Sequence, residues 1–246
     1  MIDLHNHLLP GIDDGAEDMA EALAMARLAV ADGVTHLVCT PHIHPGLYDN
    51  TAEGIDAVLR DYRQALDAAG VDLTVTAAAE VRFGLEVMTG AQAGTLPLLG
   101  EWEGQRVLLL EFPHTEIPFG AERLTEWLIA RDIRPMIAHP ERNRDIVNDP
   151  GKLRPFLEQG CLTQVTASAL TGQFGPGSQS RAEQLVSEGA ATCLASDAHN
   201  TGNRPPCLSR GVAAAAALIG KEAATTLGRD NPWRIVAGSF TAAAAS

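Results

Sequence analysis

"MIDLHNHLLPGIDDG" (residues 1–15) opens the chain with a short apolar run that leads into two histidines and then into two adjacent aspartates. The run predicts a β-strand over residues 2–5, and alternation along an extended chain places His5 and His7 on one face. Read alone, this pair fits either a metal site or a polar strand edge. The residues at the ends of the other strands decide between these two interpretations, and they also determine which fold is predicted.

Six more β-rich runs follow, near residues 34–39, 73–78, 106–111, 134–138, 162–166 and 191–195. Apolar residues at three- and four-residue spacing predict helices between them, near residues 19–31, 52–69, 121–131, 150–159 and 180–188. Seven strands that alternate with helices predict an α/β fold with a parallel sheet. From about residue 207 to 239 the chain is alanine-rich and predicted to be helical, and the tail TAAAAS (241–246) is predicted to be frayed.

Ligand-type side chains stand at the carboxyl ends of six of the seven predicted strands. In parallel α/β folds these ends share one rim, where functional residues gather. The sixth strand, TQVTAS, offers only hydroxyl groups. A closed barrel draws such residues into a small ring, whereas an open sheet spreads them along an edge, so we expect a barrel. The rim residues are His5, His7, Asp13, Asp14, His42, His44, Glu80, Glu111, His139, Arg142, Asp197 and His199.

Apolar strands that end in imidazoles and carboxylates indicate a metal centre. A buried charge without a partner is costly, and metal ions supply a partner for several ligands at once. His36, which alternates within a strand, reads as structural, and His114 reads as an exposed loop residue. His44 stays open between a supporting role and none. Asp13 competes with Asp14 for one ligand position, and a cap on the following helix is the alternative role for one of the two.

The composition excludes several classes of protein. A net charge of −13 without a Lys/Arg run disfavours nucleic-acid binding. The longest apolar run, residues 212–219, is too short to span a membrane, and the polar residues near the start do not fit a secretory leader. We therefore expect a cytoplasmic protein with reduced thiols at its scattered cysteines, which are Cys39, Cys161, Cys193 and Cys207.

Seven motifs stand at the strand ends between residue 1 and about residue 206, in the order DLHNHLLPGIDDG, CTPHIHPGLYDN, AAEVRF, LLLEFP, IAHPERN, QVTASALTGQFG and ASDAHNTGNRPP. Together they resemble the PHP superfamily (polymerase and histidinol phosphatase), and more narrowly the bacterial metal-dependent protein tyrosine phosphatases of capsule and exopolysaccharide operons. One departure is that AAAEVRF lacks the family's more usual glycine before the glutamate. The resemblance implies the PHP fold, a distorted seven-stranded (βα)7 TIM-like barrel, in a single phosphoesterase domain over residues 1–246.

The same resemblance implies three divalent metal ions. The first would be held by His5, His7, Glu80 and Asp197. Glu80 would bridge to the second, which Glu111 and His139 would also hold. The third would be held by Asp14, His42 and His199, which together with Arg142 and Arg204 form the expected catalytic set. The two arginines would clamp phosphate oxygens, with a surface ion pair as the alternative role of each. Mixed imidazole and carboxylate ligands allow manganese, iron or zinc, and manganese is the expected ion.

The implied activity is hydrolysis of phosphotyrosine in a protein, with the tail of a bacterial tyrosine kinase of capsule or exopolysaccharide synthesis as the expected partner. The rival cysteine mechanism needs an arginine six residues after the nucleophile. Those positions hold Pro45, Ala167, His199 and Ala213, which excludes that mechanism. Two alternatives stay open: a PHP phosphoesterase for histidinol phosphate or nucleotides, and a noncatalytic metal-stabilised regulatory module. The metal, the physiological substrate and the oligomeric state stay open too.

Overall fold

The structure, a computed structural model, describes residues 1–243. Its strands are β1 (Ile2–Asp3), β2 (His36–Cys39), β3 (His42–Ile43), β4 (Thr74–Ala77), β5 (Glu80–Arg82), β6 (Gly100–Trp102), β7 (Gln105–Glu111), β8 (Ile133–Ala138), β9 (Leu162–Thr166) and β10 (Cys193–Ala195). Its helices are α1 (Met19–Ala31), α2 (Ala52–Ala68), α3 (Leu85–Ala93), α4 (Ala121–Ile129), α5 (Arg144–Asn148), α6 (Arg154–Glu158), α7 (Gly175–Ser187), α8 (Ser209–Ile219), α9 (Lys221–Thr225) and α10 (Asn231–Ala243).

The strands form two sheets, which confirms the prediction of an α/β fold with parallel pairing. One sheet has the order β1-β2-β4, and the other has the order β10-β9-β8-β7-β5-β3 with β6 antiparallel to β7. The two sheets are continuous along the chain, since β3 follows β2 after two residues and β5 follows β4 after two residues. In consequence β3 pairs with β5 as β2 pairs with β4, and His42 lies opposite Glu80.

The first and last strands meet at a seam between the two sheets. An isolated parallel bridge joins Asn6 to Ala198, and the amide of Asp197 donates to the carbonyl of His5 at 2.8 Å. Below this bridge, the buried carboxylate of Asp3 accepts hydrogen bonds from the Ser196 amide at 3.0 Å and from the Ser196 hydroxyl at 2.5 Å. The seam therefore holds the carboxyl end of β1 beside the carboxyl end of β10.

Helix α1 has the bounds that the sequence predicts, and its cap corrects one expectation. Asp18 is the N-cap, and its Oδ1 accepts a hydrogen bond from the amide of Glu21 at 2.9 Å. Neither aspartate of the DDG turn caps the helix, because that turn ends several residues before the helix begins. Asp13 and Asp14 are thereby free for roles at the rim.

Other boundaries differ from the sequence-based expectation for local reasons. Helix α7 begins at Gly175 rather than near residue 180, because Pro176 occupies the first turn, where its missing N–H leaves no bond unmade. The predicted helix over 150–159 is a 3₁₀ turn followed by the short α6. The sequence did not predict β3, β5, β6, α3 or α5, which have nine residues or fewer. Helix α10 extends to Ala243, so the predicted frayed tail is helical at 241–243, and its remainder lies outside the described residues.

The carboxy-terminal helices belong to the core of the fold. Ile235, Val236 and Phe240 of α10 are buried in one cluster with Val107 and Leu162, which lie near the amino ends of β7 and β9. Helix α10 therefore covers the end of the strands opposite to the rim. No helix within residues 1–243 is both long enough and apolar enough to cross a membrane.

Candidate metal centre

The predicted ligands gather at the carboxyl ends of the strands. His5 and His7 follow β1, and Glu111 is the last residue of β7. His42 and Glu80 lie just beyond the carboxyl ends of β2 and β4, as the first residues of β3 and β5. Beyond β8 and β10 the chain adds the buried side chains of His139, Asp197 and His199. Asp14 stands out with a side chain that is 47% exposed, whereas the side chains of His5 and His7 have no exposed surface. The cluster is thus closed to solvent around His5 and His7 and accessible to solvent beside Asp14.

The imidazoles of His5 and His7 face two carboxylates. Oε2 of Glu80 lies 3.3 Å from Nε2 of His5 and 3.5 Å from Nε2 of His7. On the other side, Oδ1 of Asp197 lies 3.5 Å and 3.6 Å from the same two nitrogens. The structure therefore brings together the four residues that the resemblance assigns to the first ion.

Asp14 sits between two other imidazoles. Its Oδ1 lies 3.4 Å from Nε2 of His42 and 3.5 Å from Nε2 of His199. These three side chains can share one ion with His7, since one ligand atom from each of the four lies within 4.8 Å of every other. His7 thus belongs to two of the groups that could hold an ion rather than to one.

Glu80 lies at the centre of the arrangement. Its Oε2 is 3.0 Å from Nδ1 of His42, which is 4.0 Å from Oε2 of Glu111, and these three side chains form another group that fits an ion. The second oxygen of Glu80, Oε1, lies 2.9 Å from Nε2 of His139. This group has His42 where the expected second site has His139, which contacts Glu80 but belongs to none of the ligand groups within residues 1–243. Glu80 contacts members of each group.

Five atoms of the cluster have no hydrogen-bond partner within residues 1–243, although each is buried. They are Nε2 of His5, Nε2 of His7, Nδ1 of His42, Oε2 of Glu80 and Oε2 of Glu111, the last of which has the Arg82 guanidinium beside it as an ion pair at 2.9 Å. A buried polar atom without a partner costs about 1–3 kcal/mol, so a group of such atoms facing one another is unfavourable in the protein alone. Divalent ions would satisfy these atoms, and the residues present therefore fit a metal cluster.

The far nitrogen of each of three imidazoles is already engaged, which aims the near nitrogen at the cluster. Nδ1 of His5 lies 2.6 Å from Oε1 of Gln164, and Nδ1 of His199 lies 3.0 Å from the backbone carbonyl of Asp197. Nδ1 of His7 lies 2.7 Å from Oδ2 of Asp13. The sixth strand, expected to offer only hydroxyls, thus contributes Gln164.

Asp13 is a supporting residue rather than a rival of Asp14. Its carboxylate accepts hydrogen bonds from the amides of Gly15 and His42, each at 3.0 Å, besides its contact with His7. Gly15 permits this turn, because a Cβ at that position would lie 2.0 Å from the carbonyl oxygen of His7. The glycine of the DDG triplet was the sequence signal for a turn folded tightly against the first strand.

In the protein alone, the electrostatics divide the cluster. Burial alone would lower the pKa of His5 and His7, but Glu80 beside His5 and Asp13 beside His7 outweigh it and raise both pKa values, and burial together with Glu80 raises the pKa of Glu111 to about 7. A bound ion would take the place of these protons.

Burial alone would raise the pKa of Glu80, but His5 and His42 outweigh it and hold the pKa well below its usual range. Burial lowers the pKa of His199 to about 2, with a further contribution from the neighbouring His7 cation. Burial and the Arg142 guanidinium lower the pKa of His139 to about 4. Anionic carboxylates and neutral imidazoles are the forms that bind metal ions.

Two arginines converge on one carboxylate at the rim. Nη2 of Arg204 lies 2.6 Å from Oδ2 of Asp197, and Nη1 of Arg142 bonds to the same oxygen. The ring of Phe174 supports Arg142, whose guanidinium carbon lies 4.4 Å from the ring centroid. A third arginine, Arg82, lies 2.9 Å from Oε2 of Glu111 and was not anticipated from the sequence.

The remaining histidines divide as follows. His36 packs edge-on against Trp233 and Phe240, with ring centroids 5.0 Å away in each pair, which confirms its structural role. His114 is exposed as expected, yet its Nε2 lies 3.2 Å from Nη2 of Arg142. His44 belongs to none of the ligand groups within residues 1–243.

Comparison with known proteins identifies a family that the chain matches. The family model described as "Capsular polysaccharide synthesis, CpsB/CapC" matches residues 1–237. The tyrosine-protein phosphatase YwqE of Bacillus subtilis (strain 168) is 35% identical over 204 residues, which cover 83% of this chain and 79% of that protein. The tyrosine-protein phosphatase CpsB of Streptococcus pneumoniae is 27% identical over 242 residues, which cover 96% of this chain and 98% of that protein.

Solved structures give a consistent result. One chain from the crystal structures of YwqE from Bacillus subtilis and CpsB from Streptococcus pneumoniae, described as unique metal-dependent tyrosine phosphatases, matches with a TM-score of 0.88 and 32% identity. The match covers 95% of this chain and 93% of that one. The phosphotriesterase homology protein of Escherichia coli shares the fold alone, with a TM-score of 0.59 and 12% identity over 96% of this chain and 98% of that one.

Proposed function

The chain belongs to the CpsB/CapC family of capsular polysaccharide synthesis, and we propose that it is a metal-dependent tyrosine-protein phosphatase whose substrate is bound between the ligand cluster and two arginines. The observation that carries this proposal is the set of five buried ligand atoms that face one another without a hydrogen bond among the described residues. They lie at the same rim as the guanidiniums of Arg142 and Arg204.

The proposed protein partner is the phosphotyrosyl tail of a bacterial tyrosine kinase of capsule or exopolysaccharide synthesis, encountered in the cytoplasm. The proposed cofactors are three divalent ions, with manganese preferred over iron or zinc. We also propose that residues 1–246 form one domain and that its two sheets compose a distorted seven-stranded barrel. The continuity of β2 with β3 and of β4 with β5, and the bridge between Asn6 and Ala198, support that description.

Divalent ions at this site would lower the pKa of a bound water toward about 7 and neutralise charge on phosphate oxygens. The first ion would lie between His5, His7, Glu80 and Asp197, and the second between Glu80, Glu111 and His139. The third would lie between Asp14, His42 and His199. Gln164 and Asp13 would keep two of these imidazoles in the tautomer that binds metal.

The protein's own residues orient the phosphate. Arg142 and Arg204 present planar donors on the open side of the cluster, and each can bind two phosphoryl oxygens at once. Asp197 holds both guanidiniums in place, and Phe174 limits the rotation of Arg142. The departing phenolate of tyrosine has a parent pKa of about 10, so it leaves more readily than the alkoxide of a serine.

The test combines metal analysis with substrate profiling. The protein is stripped with a chelator, reloaded with Mn²⁺ and assayed on a phosphotyrosyl peptide, on the phosphoseryl peptide of the same sequence and on histidinol phosphate. We expect three ions per chain, activity that returns with the metal, and preference for the phosphotyrosyl peptide. Full activity in metal-free protein would overturn the mechanism, and preference for histidinol phosphate would assign the site to another phosphoesterase class.

A further inference from the structure

The open side of the cluster determines where a substrate enters. The side chains of Glu80 and Asp197 are each 1% exposed, so the base of the site is closed to solvent. Among the ligands the most accessible side chains are Asp14, at 47%, and His42, at 13%, and the rim arginines Arg204 and Arg82 are 24% and 23% exposed. A phosphate monoester must therefore bring its phosphoryl group in beside Asp14 and His42 and leave its organic group on the same outer side.

An aromatic ring stands at that position. The ring of Tyr48 lies parallel to the imidazole of His42, with a centroid distance of 5.6 Å and an interplanar angle of 9°. Tyr48 is half-buried, so part of its ring faces solvent while one face covers His42. It thus forms an aromatic wall next to the place where the phosphoryl group enters.

The backbone fixes this ring in place. The amide of Tyr48 donates to the carbonyl of His44 at 2.8 Å, and the amide of His44 donates to the carbonyl of Tyr48 at 3.0 Å. Nδ2 of Asn50 ties the same loop down, with hydrogen bonds of 2.8 Å to the carbonyls of His42 and Ile12. The loop from 44 to 50 therefore presents Tyr48 at a set distance from His42.

Phe174, another aromatic ring near the rim, is already engaged. It lies under the guanidinium of Arg142, and this contact occupies its π-face. Tyr48, by contrast, stacks on His42, whose Nε2 lies 3.4 Å from the exposed ligand Asp14.

We propose that Tyr48 is a specificity-determining residue that packs against the phenyl ring of the phosphotyrosine substrate; this inference rests on the proposed function. The phenyl ring is joined to phosphorus through one oxygen, so a phosphoryl group beside His42 leaves the ring within reach of Tyr48. Aromatic pairs prefer offset or edge-to-face contacts with centroids 4.5–7 Å apart. The side chain of phosphoserine has no ring to make this contact, so Tyr48 favours aryl over alkyl phosphates.

The experiment compares phenyl phosphate with 2,2,2-trifluoroethyl phosphate as substrates of the manganese-loaded protein. The variants are Tyr48→Phe, Tyr48→Leu and, as a matched control in the same loop, Leu47→Ala, whose side chain is exposed. We expect Tyr48→Leu to lower kcat/KM for phenyl phosphate by roughly 3- to 10-fold and to leave the alkyl phosphate within a factor of about two. Tyr48→Phe should match the parent on both, as should Leu47→Ala.

Binding affinity provides a second measurement, which does not require the ligand to be hydrolysed. Phenylphosphonate and methylphosphonate bind without being hydrolysed, and calorimetry gives their affinities for the manganese-loaded parent and variants. Only phenylphosphonate should bind more weakly to Tyr48→Leu. Equal losses for both ligands, or a loss of bound metal, would show that Tyr48 acts only through His42 and would overturn the inference. A parent that binds phenylphosphonate through Tyr48 yet hydrolyses no phosphotyrosine would overturn the proposed function instead.

Discussion

Oδ2 of Asp13 lies 2.7 Å from Nδ1 of His7, and the same carboxylate accepts the amide hydrogen of His42. Burial alone would raise the pKa of Asp13, but its contacts with His7 hold that pKa at about 2. An ionised carboxylate can only accept, so Nδ1 of His7 carries a proton and Nε2 is the nitrogen left to bind a metal ion. One buried aspartate therefore sets the tautomer of one ligand and the backbone position of another.

Asp13→Asn is expected to weaken manganese binding by roughly 10- to 100-fold, because an amide NH₂ at that position favours the tautomer with hydrogen on Nε2. Titration calorimetry on stripped protein measures the change. Asp18→Asn is the matched control, since Asp18 caps α1 away from the ligands and asparagine caps equally well. Unchanged metal affinity in Asp13→Asn would show that the carboxylate does not select the tautomer.

Glu80→Gln should remove bound metal and measurable turnover while the fold is retained. The two oxygens of Glu80 contact four imidazoles among the described residues, and a neutral amide cannot replace both. Metal analysis by mass spectrometry together with circular dichroism distinguishes ligand loss from unfolding. Glu101→Gln, which alters an exposed carboxylate on β6, should behave like the parent. A Glu80→Gln protein with full metal content and rate would exclude Glu80 as a ligand.

Arg142→Lys and Arg204→Lys should each keep the metals and lose catalytic efficiency. A charge-assisted hydrogen bond contributes roughly 1.5–3 kcal/mol, so we expect kcat/KM to fall by about 10- to 150-fold. A phosphotyrosyl peptide and phenyl phosphate should lose equally, because the contact is to phosphate. If either variant matches the parent on both substrates, that arginine only forms the ion pair with Asp197.

Thiol alkylation under native conditions should leave most activity intact. Cys39, Cys161 and Cys193 are buried, and burial raises the pKa of the Cys161 thiol to about 12. A thiol that stays protonated is a poor nucleophile. The check is iodoacetamide treatment followed by assay and by mass spectrometry of the labelled sites. Stoichiometric inactivation at one cysteine, prevented by substrate, would contradict a metal-dependent mechanism.

Glu141→Gln should make the free energy of unfolding less dependent on pH. Glu141 is fully buried and accepts a hydrogen bond from the Thr166 amide at 2.8 Å, and burial raises its pKa to about 7. The folded state therefore keeps a proton that the unfolded state releases near pH 4.5, and the stability from this group falls as the pH rises from about 4.5 through 7.

Because glutamine cannot ionise, the free energy of unfolding of Glu141→Gln relative to the parent should rise by up to about 3 kcal/mol between pH 4.5 and 8. Urea titrations at each pH measure this difference. Glu158→Gln, at an exposed position, provides the control. A difference that stays constant across the range would show that Glu141 ionises at its ordinary pKa.

The sequence was sufficient to predict which residues lie at the strand ends, but it was insufficient to predict the contacts between those residues. Chain position alone identifies His5 and Glu80 as rim residues, because parallel strands bring their carboxyl ends to one edge. It does not show that His42 contacts Glu80 and Asp14 together, since that depends on the pairing of β3 with β5, which have two and three residues. Such short strands carry no periodic pattern for sequence reasoning to detect.

The supporting residues were missed for a different reason. Gln164 and Arg82 do not differ in type from ordinary surface residues, and their roles come from burial or from a partner distant in sequence; Asp13 was placed at the rim, but not as the partner of His7. Gln164 is paired with His5 across 159 residues. Only the packed structure shows that its carbonyl oxygen meets Nδ1 rather than solvent.

The seam between β1 and β10 has a consequence for how the chain is made. His5 leaves the ribosome before its partner Asp197, which follows about 190 residues later, or about 10–40 s later at ordinary rates of synthesis. Through that interval the amino-terminal histidines lack the carboxylate that faces them, and Asp3 lacks Ser196. The ligand cluster is therefore complete only after residue 199 has been synthesised, and an ion that needs the whole cluster could bind only from that point on.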